Sequence, residues 1–269
     1  MSFAQLLLLG AIAGYTIFLG LPVARLRNVS DRLRVGAGAA SAGILLFLVV
    51  DVTANMIEPI EEAAQNVASR GAGYLVLLSI AALAGLAASY LGLLYLSAFL
   101  GRSSKASKNP EDKMPAMVDD PLRLALTIAI GIGLHNFAEG LAIGQAAATG
   151  AVSLALLLII GFGLHNATEG FGITGPLIGR VRPSWGFLLM VGLIGGSPTF
   201  IGTLLGRVYS NTVVSVLFLA LAAGSIIYVV QTLIYTGLRS QKTEVFSIGL
   251  LIGLVVGIAT DLIIAAAGV

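Results

Sequence analysis

The stretch Gly133–Gly140 reads GLHNFAEG inside a long apolar run, and thirty residues on, Gly163–Gly170 reads GLHNATEG inside the next one. Around them, Ile130–Gly144 and Ile160–Thr174 agree at nine of fifteen positions at that offset. The chain has two histidines, His135 and His165, and both stand in this setting, each followed by an asparagine and, four residues on, by a glutamate. A spacing of four puts His and Glu on one helical face, one turn apart. What surrounds these polar groups decides the fold.

The surroundings are apolar almost throughout. Of 269 residues, 57% are hydrophobic and only 10% charged, and the mean hydropathy is +0.99. Soluble domains carry roughly a quarter charged residues, so this chain cannot cover a water-facing surface. Eight runs are long enough to cross a bilayer, at approximately 3–23, 36–57, 74–100, 122–148, 151–174, 185–206, 212–236 and 245–268. The expected fold is all-α: a polytopic membrane protein of eight transmembrane helices, one unit over 1–269. Pro22, Pro59 and Pro176 read as helix ends, and Pro121 and Pro183 as helix starts, where a missing N–H costs little. Only Pro198, in GGSPTFIG, falls inside a span. There it denies a donor to the carbonyl of Ile194 and reads as a kink, either a hinge or a packing bend.

Charge sets the orientation. Thirteen of the fifteen Lys and Arg residues fall in the connections after helices one, three, five and seven, leaving Arg70 and Arg207 on the other side. The positive-inside rule makes the crowded side cytoplasmic and puts both ends of the chain outside. The first helix has no basic segment before it, so it reads as a retained anchor and not a signal peptide. The polar connection 101–121 between helices three and four is then a cytoplasmic loop. A pI near 9.0 reflects basic loops facing anionic lipid, with no nucleic-acid partner implied. Cysteine is absent, which excludes thiolate ligands.

The two motifs lie on consecutive helices joined by a short turn at Thr149 to Ala151, so they are antiparallel neighbours. Both histidines sit about 20 Å from that turn at 1.5 Å per residue, near the bilayer midplane. Asparagine and histidine in membranes serve as hydrogen-bonding glue. Two glutamates are another matter, because each costs about 2.5–3.5 kcal/mol at mid-membrane, and facing each other they repel. A divalent cation removes both problems. Imidazole, carboxylate and amide oxygen suit a borderline ion such as Zn²⁺, Fe²⁺ or Mn²⁺.

These residues, on the fourth and fifth of eight helices, resemble the ZIP (Zrt/Irt-like) family of divalent-metal transporters, in its prokaryotic branch. The resemblance implies a metal-binding role for His135, Asn136, Glu139, His165, Asn166 and Glu169. It also implies a transported divalent metal (Zn, with Fe, Mn or Cd as further cargo), no catalytic cofactor, a multi-pass place in the cell (inner) membrane, and a homodimer as partner. Ala138 and Thr168 stand where that branch usually has proline, the 101–121 loop lacks histidine, and helix six has no carboxylate. Whether the site takes one ion or two stays open. Asp51 and Asp261 fall in the outer halves of helices two and eight, as entrance groups that attract cations or as interfacial acids. The function expected is import of divalent metal into the cytosol, without catalysis. An intramembrane di-metal enzyme is a second class, although its bundles use Glu-x-x-His spacing. A proton-coupled carrier of another substrate is a third, because imidazoles titrate.

Overall fold

In a computed structural model the chain is described over residues 2–26, 29–103, 120–148, 152–208 and 211–266. Most of the 101–121 loop, with its lysines, and the turn expected at 149–151 lie outside these residues, as does Arg27. The described residues contain eight long helices and no strand: α1 (Phe3–Tyr15), α2 (Asp31–Gln65), α3 (Ala72–Ser103), α4 (Pro121–Ala148), α5 (Val152–Thr174), α6 (Trp185–Val208), α7 (Thr212–Leu238) and α8 (Thr243–Ala266). Seven spans among them are long and apolar enough to cross a membrane, the first counted together with the 3₁₀ turns that follow α1. The remaining helix, α5, is 23 residues long, about 35 Å at 1.5 Å per residue. This is a polytopic, all-helical membrane protein.

Helix α4 is the most enclosed of the spans: its side chains are buried where those of α3 and α8 face outward. It packs most closely on α6, while α2 lies along α8 and α3 along α7. The α4–α6 contact is made of backbone. A Cβ added at Gly133, Gly140 or Gly144 would strike the carbonyl oxygens of Ile194, Thr199 and Thr203, and one at Gly202 or Gly206 would strike those of Phe137 and Leu141. Small residues let membrane helices approach this closely, which is how they associate where lipid removes the hydrophobic drive. Gly170 does the same on α5, against Ile17 and Gly20. Ile194 is also the residue whose carbonyl loses its helical donor at Pro198, and that oxygen points at Gly133.

Two boundaries differ from the expectation. Helix α1 stops at Tyr15 and continues as two 3₁₀ turns, Thr16–Leu19 and Leu21–Arg25, with Pro22 in the second. Pro59 does not end α2 but lies inside it, and the helix runs on to Gln65. Proline removes one helical hydrogen bond; here the carbonyl that loses its donor belongs to Asn55, which is exposed and open to other partners. Pro121, Pro176 and Pro183 stand where expected: at the first residue of α4, in the 3₁₀ turn after α5, and just before α6.

The basic connections meet at one end of the bundle. Arg25 donates to the Pro183 carbonyl at 2.5 Å and lies over the Trp185 ring at 4.6 Å, tying the α1–α2 connection to the α5–α6 one. Lys242, in the α7–α8 turn, sits 3.4 Å from Asp31 at the start of α2. Arg207 lies over Phe3, linking the last turn of α6 to the first of α1. Arginine-rich and arginine-poor ends alternate along the chain, as the loop charges require.

Candidate metal centre

Helices α4 and α5 bring their motifs together in the interior. The imidazole rings of His135 and His165 have centroids 5.9 Å apart, tilted by 60°. His135 Nε2 is 3.1 Å from Glu139 Oε1, and His165 Nε2 is 3.6 Å from Glu169 Oε1, each an i, i+4 pair. His135, His165 and Glu169 each offer one ligand atom, and the three atoms lie within 4.8 Å of one another. Ligands sharing a tetrahedral ion at about 2.0–2.1 Å are roughly 3.4 Å apart, so a closure of about an ångström turns the cluster into a coordination shell. Glu139 stands outside this trio and is held on His135.

All six motif residues are buried, with Asn136, Asn166 and Glu169 at 0% exposure. The two asparagines are pinned by their nitrogens. Asn136 Nδ2 donates to the Gly195 carbonyl of α6 at 2.9 Å and to Glu169 Oε2 at 3.1 Å. Asn166 Nδ2 donates to the Ala13 carbonyl at 3.0 Å, where α1 changes to 3₁₀. With both amides oriented from outside, their Oδ1 atoms are left without partners. Among the described residues, eight buried side-chain nitrogens and oxygens lack a hydrogen-bond partner, and seven of them belong to these six residues. Buried polar atoms are normally satisfied, and each orphan costs about 1–3 kcal/mol. A concentration of them in one place, rich in lone pairs, is a place for a cation.

The sequence names these six side chains, of which His135, His165 and Glu169 share one cluster, but not the backbone carbonyls that hold the asparagines. The Gly195 and Ala13 carbonyls have no letter of their own. Thr199, the eighth orphan, is fully buried one helical turn beyond Gly195; a lone threonine in an apolar helix carries no distinguishing signal. Phe47 of α2 closes the other side of His165, with ring centroids 6.4 Å apart. Of the outer acids, Asp51 is half-buried and accepts from Asn55 Nδ2 at 3.1 Å. Asp261 itself is exposed.

The model of the family described as ZIP Zinc transporter matches residues 100–265. The chain belongs to the ZIP family. The matched region holds both motifs and helices α4 to α7 with nearly all of α8, more than half of the chain. ZIP proteins are transporters of divalent metal, which assigns the cargo class and the membrane setting together. The search of curated proteins finds no match.

Proposed function

We propose that this ZIP protein imports divalent transition metal, Zn²⁺ first, into the cytosol through a site made by His135, Asn136, Glu139, His165, Asn166 and Glu169. One observation carries the reading: His135 of one helix and His165 and Glu169 of the next, all buried, bring one ligand atom each to within 4.8 Å of one another. Without a cation, two carboxylates and two imidazoles are left to each other in a medium that penalises charge. With one, the trio of His135, His165 and Glu169 ligates. Glu139 stands ready on His135 to bridge or to take over a ligand position, and the asparagine oxygens fill out the shell. Nitrogen and oxygen donors without thiolate favour Zn²⁺, Fe²⁺ or Mn²⁺ over softer ions.

The path follows from charge. Asp51 and Asp261 draw cations toward the midplane from the arginine-poor end, which the loop charges make the outer one. Both ends of the chain face outward in this orientation, the 101–121 connection is cytoplasmic, and the chain works as one unit over 1–269 in the inner membrane. The H-N-x-x-E-G wording of both motifs supports membership of the prokaryotic branch, and a homodimer is the assembly proposed. Pro198 serves as a hinge in α6, since the Ile194 carbonyl is already freed there.

The test is flux. Purified protein in liposomes loaded with a zinc indicator should admit Zn²⁺ from outside, and Glu169→Gln should stop it. A wild-type protein that passes no divalent metal in either direction would overturn the reading.

A further inference from the structure

At the arginine-rich end of the bundle lies a cavity of about 450 Å³ between the starts of α2 and α4, the end of α5 and the α7–α8 turn. Its charged lining is Asp31, Arg34, Arg180, Arg239 and Lys242. Four basic side chains and one carboxylate thus line the cavity among the described residues, and Arg180 has a further interaction of its own. The carboxylate is already shared, with Arg34 at 2.8 Å and Lys242 at 3.4 Å. Deeper, the wall is apolar and buried, including Leu124, Leu233 and Phe246. A concave site with cationic walls over a low-dielectric floor concentrates positive potential.

The backbone is shaped to hold this arrangement. Gly179, directly before Arg180, has φ 66°, and Gln241, directly before Lys242, has φ 55°. Gln241 is the one non-glycine residue with positive φ among the described residues, a conformation that is uncommon outside glycine. Two separate turns therefore adopt left-handed backbone one residue before delivering a cation to the same cavity. Gathering like charges around an open space is unfavourable on its own, and an anion of matching size reverses the sign. Arginine forks match the oxygens of a tetrahedral oxyanion, and lysine adds a point charge.

We propose that this cavity binds a phosphate group, supplied either by a lipid headgroup of the adjoining leaflet or by a soluble phosphate. The volume admits more than a bare ion, so a phosphate ester fits as well. The binding stands independently of the transport reading. One consequence does rest on that reading: Gly175 in the cavity wall is six residues beyond Glu169, about 9 Å along the helix axis, so a bound anion would offset the repulsion met by a cation leaving this way.

The experiment uses the full chain in phosphatidylcholine nanodiscs, with thermal unfolding followed by circular dichroism. In one arm a minor fraction of phosphatidic acid is added to the disc. In the other, inorganic phosphate is titrated at constant ionic strength against chloride. Either arm should give a saturable rise in Tm, and which arm responds identifies the source. The double variant Arg239→Gln/Lys242→Gln and the single Arg180→Gln, on a different turn, should each weaken the half-saturation point at least about tenfold, the scale of a lost charge-assisted hydrogen bond. Arg70→Gln, at the opposite end, should leave it unchanged, and the charge-keeping Lys242→Arg should retain binding should the double variant not fold. No rise in either arm, or a rise that all variants share with Arg70→Gln, overturns the proposal.

Discussion

Substituting Gly140 by alanine adds one methyl group to the α4–α6 seam and leaves every metal-facing side chain untouched. The added Cβ would lie 2.9 Å from the carbonyl carbon of Thr199 and 2.9 Å from the nitrogen of Thr203, and nearer still to the Thr199 oxygen. All three are backbone atoms and cannot rotate away. Carbon contacts settle near 3.5–4.0 Å, so α4 and α6 must part by about 1 Å. Overpacking of this kind costs about 1–3 kcal/mol, and a clash with three backbone atoms argues for the upper value. Alanine returns about 1 kcal/mol of helix propensity, for a net loss of about 2 kcal/mol. The site feels the same displacement. Asn136, one turn before Gly140, donates to the Gly195 carbonyl of α6 at 2.9 Å; moved by about 1 Å, that distance passes the limit of a hydrogen bond. Losing such a supporting contact typically costs 10–100-fold in metal affinity. Thermal unfolding and zinc titration of Gly140→Ala should show both losses. Gly92→Ala is the control, since a Cβ there meets nothing within 4 Å, and it should be neutral or slightly stabilising. If Gly140→Ala unfolds and binds zinc like Gly92→Ala, the backbone-to-backbone seam is wrong.

Glu169→Gln should lower zinc affinity at least about tenfold while the metal-free protein keeps or gains thermal stability, because a buried charge beside Glu139 is removed; Glu139→Gln should act in the same direction but more weakly, as Glu139 stands outside the three-ligand set. Full uptake in both would sink the shared site. Zinc affinity should fall as pH drops below about 6, since only the neutral imidazole ligates, and binding that stays level into acid would count against His135 and His165. The double change His135→Cys/His165→Cys should create a Cd²⁺-bridged thiol pair, given imidazole centroids 5.9 Å apart and a chain with no other cysteine. Coordination should then shield both thiols from alkylation together, and equal shielding in the single variants would refute the shared centre.

Much of this was readable from residue types, because membranes simplify the code. Length and apolarity located the spans, and His, Asn and Glu at fixed spacing inside them had few meanings. The meeting of Arg25, Arg34, Arg180, Arg239 and Lys242 at one end follows from counting loops. What stayed hidden was carried by the backbone. The carbonyls of Ala13 and Gly195 orient Asn166 and Asn136, yet any residue at those positions has a carbonyl; only the packing reveals that these two are used. The break of α1 at Tyr15 depends on α5, where Gly170 seats against Ile17 and Gly20, a partner more than a hundred residues away. Pro59 looked like a stop because proline at the end of an apolar run usually is one, and the continuation to Gln65 offers only Ile60 and Ala63 to the cluster it packs in, too short a stripe to announce a helix. Gly140 and Gly170 close the two motifs as residues without side chains, but their partners, the Thr199 carbonyl and the α1 break, depended on which helices meet.

A saturation map of this chain would carry an unusual signature. Tolerance to replacement ordinarily follows chemistry, with ligands strict and apolar positions lax. Along α4, Gly133, Gly140 and Gly144 should score as severely as His135 and Glu139, although none has a polar atom to lose beyond its peptide. The smallest possible change, one methyl, should rank among the most damaging, while Gly73 and Gly92, with nothing within 4 Å, should accept nearly any apolar residue. Inherited variants that disable this protein would then fall on glycines as readily as on the metal-facing residues, and no inspection of side-chain chemistry would flag them.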